Sequence, residues 1–186
     1  GELLDARVVA QVQAELQRLE PARQAKGLEG IADLLRELGP LATTDVMARV
    51  QDADGVEDML ATLVAQQRVI VVQIGGAARW AAIEDAARLR DGLGARLPDG
   101  IPAAFLAPLA DPLGDLLSRI ARTHGPFTTA QAADQLGLGT AVADEVLQRL
   151  RDQGRVLHGQ FGARDADEGD DVGSPRGQHQ WLDEDV

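Results

Sequence analysis

Residues 123–137 read THGPFTTAQAADQLG, and residues 37–50 read ELGPLATTDVMARV. In each, an apolar-periodic run meets Gly-Pro, a large apolar residue and a threonine-rich step follow, and a short helical pattern begins. Glycine can take the left-handed conformation that closes a helix, and proline cannot continue one, so each Gly-Pro reads as a stop. The threonines then start the next helix. Thr128 and Gln131 have the capping-box spacing, in which side chain and backbone satisfy each other's unpaired groups. Gly39 and Gly125, Pro40 and Pro126, Leu41 and Phe127, and Thr43 and Thr129 align at one offset. Leu60 and Leu147, Leu63 and Leu150, Arg68 and Arg155, and Val69 and Val156 align one residue later. A device used twice implies two copies of one unit.

Outward from the first stop, Leu28, Ile31, Leu34, Leu35 and Leu38 form a helical stripe before it. A short helix holding Val46, Met47 and Val50 follows, then a third stripe of Val56, Met59, Leu60, Leu63 and Val64. The period then changes. RVIVVQI at 68–74 is β-branched and reads as a strand, GGA as a hairpin turn, and RWAAI at 79–83 as the return strand. Around the second stop, Leu113, Leu116, Leu117 and Ile120 precede it. Val142, Val146, Leu147 and Leu150 make the third helix, GRVLHGQF is a strand, and Trp181 answers Trp80 on the return strand. Three helices followed by a β-hairpin is the winged-helix arrangement.

The expected fold is therefore mainly α with small β-hairpins (α+β): two tandem winged-helix modules with an extra N-terminal helix. Residues 1–22 are the extra helix, expected to pack on the first module through Leu4, Val8, Val12, Leu16 and Leu19. Residues 23–98 are the first module with a trailing helix. Residues 99–110 are a Pro-rich linker ordered by Ile101, Phe105, Leu106 and Leu109. Residues 111–186 are the second module. Its wing loop, 162–178, is acidic, rich in glycine and nearly free of apolar residues, so we expect it to be mobile.

The core must be aliphatic, since aromatics are 3 % of the 186 residues and tyrosine is absent. No apolar run approaches the roughly 20 residues of a membrane helix, and the first residues do not read as a secretory signal. Zero cysteines leave no disulfides and no thiolate metal sites. These features lead us to expect a cytoplasmic protein with no membrane partner. The formal charge is −12, and from Gly162 onward eight acidic residues face two arginines. Such a chain starts poorly for phosphate binding.

Three long stretches, RWAAIEDAARLRDGLG, LPDGIPAAF, and ADPLGDLLSRIARTHGPFTTAQAADQLGLGTAVADEVLQRLRDQGRV, together resemble the large helicase-related (Lhr) proteins. These are bacterial superfamily 2 ATP-dependent DNA helicases associated with DNA repair. The resemblance covers nearly the whole chain. It implies the accessory winged-helix region beyond the helicase core, similar in arrangement to a class of winged-helix DNA glycosylases. It also implies that ATP and magnesium serve the parent's motor domains and not this region, and it places the protein in the bacterial cytoplasm with the nucleoid. The longer, more acidic second wing departs from the family pattern.

Catalytic chemistry finds little support. QIGGAAR has glycines but no Gly-Lys-Ser/Thr, so we expect no nucleotide cofactor here. No nucleophile–base pair stands at a recognisable spacing. His158 and His179 fall on opposite strands of the second wing and read as solvated side chains in preference to a metal site. We assign no catalytic, cofactor or metal residue.

Nucleic-acid binding is the sharper question. A recognition helix normally carries Arg, Lys, Asn or Gln at its start. Here the third helix of the first module begins with Glu57 and Asp58, and that of the second with Asp144 and Glu145. Arg149, Arg151 and Arg155, with Arg119 and Arg122, could form one basic patch. Arg79, Arg88, Arg90 and Arg96 form another. The competing reading of the first patch is ordinary ion pairing with Asp115, Asp144, Glu145 and Asp152. Two functions follow: weak, non-specific backbone contacts to DNA, or a protein–protein scaffold binding the remaining domains of the parent or another copy of itself. A stand-alone transcriptional regulator would want a basic recognition helix.

Overall fold

A computed structural model of the chain describes residues 6–159 and 179–186. The mobile tip expected over 162–178, and Leu4 of the expected N-terminal stripe, lie outside them.

The first Gly-Pro stop separates α2 (Gly27–Leu38) from α3 (Thr43–Met47), and α4 (Val56–Ala65) follows. Gly39 has φ +84° and donates its N–H to Leu35 O, closing α2 as its sequence requires. β1 (Val69–Ile74) and β2 (Ala77–Ala82) pair antiparallel, with Val71 opposite Trp80. Their turn is Gly75-Gly76, both at positive φ, the backbone that matches strand twist in a two-residue hairpin. Leu41 adds a third edge by exchanging hydrogen bonds with Trp80 at 2.9 and 2.8 Å. A 3-10 turn (Ile83–Asp85) leads into α5 (Ala86–Leu93).

The same order recurs around the second stop: α6 (Pro112–His124), β3 (Phe127–Thr128), α7 (Thr129–Leu136), α8 (Thr140–Asp152), β4 (Val156–Gly159) and β5 (Gln180–Asp183). β5 lies between β3 and β4, and Phe127 pairs with Trp181 as Leu41 does with Trp80. The capping box of Thr128 and Gln131 forms with both hydrogen bonds present. The indole N–H of Trp80 donates to Thr43 Oγ1 at 2.8 Å, and that of Trp181 donates to Thr129 Oγ1 at 2.8 Å.

The two units share more than a linker. Val69 and Ala82 of the first hairpin, with half-buried Trp80, pack on the core made by α2, α3 and α4. Ile70, Val72, Ile74, Ala81 and Ile83 face the other way and join Leu89 of α5 and Leu116, Leu117 and Ile120 of α6 in a second core. One face of the hairpin is therefore buried against the next unit, while its own helices cover the other face only at the Val69–Ala82 end, leaving Val71 and Gln73 exposed. At its tip, a Cβ built on Gly137, in the α7–α8 turn, would lie 2.8 Å from Gly75 N. From the Pro-rich segment, Ile101, Phe105 and Leu106 pack against the second core, while Leu109 stays 38 % exposed.

Three expectations are corrected. The N-terminal helix α1 (Ala6–Leu16) buries none of its residues, and Val8 is 51 % exposed. Its Val12 and Leu16 are only half-buried, and its glutamines hydrogen-bond the second unit: Gln13 Nε2 donates to Pro126 O at 3.3 Å, and Gln17 Nε2 donates to Thr123 O. It thus reaches the second unit as well as the first. In α8, Val142 is exposed and Ala143 is buried in its place, because the inward face runs Ala143, Val146, Leu147, Leu150. Met47 and Val64 are also exposed, each lying just off the inward face of its helix.

Candidate nucleic-acid interface

α4 occupies the recognition-helix position of the first unit. It carries Glu57 and Asp58 in its first turn and no basic residue along its length. α8 is the third helix of the order that recurs around the second stop. Its Asp144 is tied locally, accepting from Gln148 Nε2 at 3.0 Å and from Thr129 Oγ1 at 3.5 Å, while Arg149 and Arg151 fall in its last turn. Cations there suit the negative end of the helix dipole.

The nine candidate arginines differ in how far carboxylates already engage them, and Arg96 is exposed. Arg119 donates both Nη atoms to Asp85 at 3.0 and 2.8 Å, and its side chain is 12 % exposed. Arg88 bridges Asp85 at 2.7 Å and Asp115 at 3.1 Å. Arg90 holds Asp91 at 2.8 and 3.1 Å and Leu106 O at 2.8 Å. Arg149 grips Asp111 at 2.6 and 3.0 Å. That guanidinium first, and the Gly114 N–H that Asp111 also accepts, hold the Asp111 carboxyl below its ordinary range. Arg79 is half-buried and reaches the Ala78 carbonyl at 3.4 Å. Arg151 contacts Gln148 at 3.3 Å and Asp152 at 3.7 Å, with 43 % of its side chain exposed. Among the described residues, Arg122 and Arg155 hold no side-chain hydrogen bond or ion pair; Arg155 acts on Asp111 through space. The partners of Arg119 and Arg149 are thus Asp85 and Asp111, neither of them among the acids weighed from sequence.

Sequence reasoning missed the polar seam between the units. Asp85 is 2 % exposed and joins Arg88 and Arg119. The spacing of Asp85 and Arg88 on one helical turn was a readable signal, while nothing local ties Asp85 to Arg119. A second seam centres on Gln17. Its Oε1 and main-chain O accept from Arg49 at 3.0 and 2.9 Å, and its amide lies 3.3 Å from His124 Nδ1. Burial pushes the His124 pKa down from 6.5, with the Arg49 charge adding to it.

Among the described residues, no three His, Asp or Glu side chains converge as metal ligands. Lys26 holds the N-cap position of α2 and makes no side-chain capping hydrogen bond there. A groove of about 220 Å³ runs between the end of α4, β1 and residues 98–101, and Asp99 is the one ionisable residue lining it. Among the described residues, no helix is long and apolar enough to cross a membrane.

Comparison with known proteins adds independent evidence. Residues 2–108 match the family described as large helicase-related protein, winged-helix domain. The chain is 50 % identical over 162 residues to "Lhr helicase/ probable uracil glycosylase" of Mycolicibacterium smegmatis, covering 87 % of this chain and 11 % of that protein. It is 46 % identical over 159 residues to "Lhr helicase/uracil glycosylase" of Escherichia coli, covering 85 % of this chain and 10 % of that protein. The chain thus spans about a tenth of the length of these relatives.

Proposed function

Since this chain belongs to the large helicase-related family, as its accessory winged-helix region, we propose that it serves as a non-catalytic part of an ATP-dependent DNA repair helicase. In this reading the chain is two tandem winged-helix modules, 23–98 and 111–186, fused through the first hairpin. It lends weak, backbone-directed DNA contacts and a packing surface for the parent's other domains. ATP and magnesium would act in the parent's motor domains.

The observation that carries this reading is the charge layout around α8. Arg151 and Arg155 sit at its far end without a close carboxylate grip, and acids occupy its start. A phosphate can be met from that end, whereas the acidic start is unsuited to a base edge. The test is an anisotropy titration with single- and double-stranded DNA over a range of salt. Binding should be weak, indifferent to sequence and steeply salt-dependent. Arg151→Ala and Arg155→Ala should each lower the slope of log K against log salt by about one.

A second reading, a protein scaffold, draws on the first unit. There Met47 is 40 % and Val64 38 % exposed near the acidic α4. Absence of DNA binding at low salt would favour it.

A further inference from the structure

The two hairpins differ beside their tryptophans. In the first, Val71 lies opposite Trp80, and Ala78 precedes that tryptophan by two residues. In the second, His158 lies opposite Trp181, and His179 precedes it by two. Two imidazoles thus stand where the first hairpin carries Val and Ala. Strand alternation puts His158, His179 and Trp181 on one face. The rings of His158 and Trp181 stack, with centroids 4.1 Å apart and planes at 18°, and His179 adds its ring 4.9 Å from His158. Trp181 is fully buried and its indole N–H is held by Thr129, so the innermost ring cannot turn. Both histidines are exposed.

The column stands beside α8. Thr129 Oγ1 lies 3.5 Å from Asp144, Gln148 donates to Asp144 at 3.0 Å, and Arg151 donates to Gln148 at 3.3 Å. A chain of polar side chains therefore leads from the foot of the rings to an exposed guanidinium. Exposed planar rings on a pinned base, with a cation alongside, match the face of an unpaired nucleobase and its phosphate. We propose that His158 and His179 form a stacking platform for an unpaired base of a single strand, with Arg151 contacting the adjacent phosphate. The proposal rests on the nucleic-acid reading above and adds a site and a strand preference to it.

The test uses the whole chain and two fluorescein-labelled 12-mers: oligo-dT, and an abasic strand with the same phosphates and no bases. The wild type should bind oligo-dT about tenfold more tightly than the abasic strand. The double change His158→Val/His179→Ala, which installs the first hairpin's residues at the same register, should bind both strands alike. His158→Phe/His179→Phe should keep the preference. If the double change to Val and Ala fails to fold, as judged by its thermal melt, His179→Ala alone serves, since it removes only the outer ring. Equal binding of both strands by the wild type overturns the platform while leaving backbone contacts in place. So does a preference that survives loss of the rings, or one lost in the Phe variant and abolished by EDTA in the wild type, the mark of a metal bridge. Binding of neither strand at low salt rejects the nucleic-acid reading itself.

Discussion

Arg119 of α6 places both terminal guanidinium nitrogens on the carboxylate of Asp85, which ends the turn after the first hairpin. The pair lies in the seam between the two units and is nearly dry, with side-chain exposures of 12 % and 3 %. Gly39 lies against the same arginine, where a Cβ would come within 3.0 Å of Nη1. The first helix stop is therefore also part of the seam, which ties the units into one body.

Removing one member of a buried ion pair strands the other, at a cost of about 3–5 kcal/mol. Arg119→Ala leaves Asp85 with Arg88 alone, so it should lower the urea midpoint by less than a fully stranded charge would. Asp85→Leu/Arg119→Met should recover most of the loss, because Arg88 keeps Asp115 and no unpaired charge stays buried. A double variant as unstable as the single one would show that the pair's role lies outside charge compensation.

Gly137 and Gly154 both sit at positive φ, +64° and +74°, but a Cβ on Gly154 meets nothing within 4 Å. Gly154→Ala should show the conformational cost alone, about 1–2 kcal/mol. Gly137→Ala adds a collision with the Gly75 backbone and should cost about 1–3 kcal/mol more. Equal costs in denaturant titrations would mean that the hairpin tip does not rest on the α7–α8 turn.

The two Trp–Thr hydrogen bonds have the same length but different surroundings. Trp181 is fully buried, whereas Trp80 is half-buried. Thr129→Val and Thr43→Val each leave an indole N–H without its partner. The buried donor has no water to turn to, so Thr129→Val should cost about 1–3 kcal/mol and Thr43→Val less. Denaturant midpoints of the two variants decide the order.

His124 carries a pKa lowered from 6.5 by burial, with the Arg49 charge adding to it. As pH falls below 6.5 the unfolded chain takes the proton before the folded one, so this group's effect is nil above about pH 7 and destabilising below. The midpoint of the wild type should therefore fall between pH 7.5 and 5.5, and His124→Asn should fall less. His158, though exposed, is depressed in the same direction, first by the partial desolvation of its ring and then by His179 and Arg151. The comparison is cleanest in a background carrying His158→Val.

Much of the candidate site was legible only as residue types. The arginines near α8 and α5 stand out in the sequence, but their availability depends on which carboxylate the fold brings near. Arg149 finds Asp111, 38 positions away, and Arg119 finds Asp85, 34 away. No spacing rule covers such pairs, since charge pairing is local in space and not along the chain. The glutamines of α1 were hidden for a similar reason. Apolar periodicity marks a stripe, yet Gln13 and Gln17 hold the helix through carbonyls that the second Gly-Pro stop leaves unpaired near Thr123 and Pro126.

What the sequence by itself determined is the local chemistry: two Gly-Pro helix stops, threonine starts with a capping box, a two-glycine hairpin turn, and tryptophans on both return strands. Each rests on backbone geometry or a contact within one unit, so a few residues suffice to specify it. The hairpin left a trace too, since the β-branched run VIVVQI alternates in burial, Ile70, Val72 and Ile74 inward and Val71 and Gln73 outward. Only the tertiary structure decided what covers the inward residues. Ile70, Val72 and Ile74 turn to α5 and α6, and Val69 turns to α2 and α4. Burial of apolar area is non-directional, so the pattern shows that a face is buried without naming its neighbour.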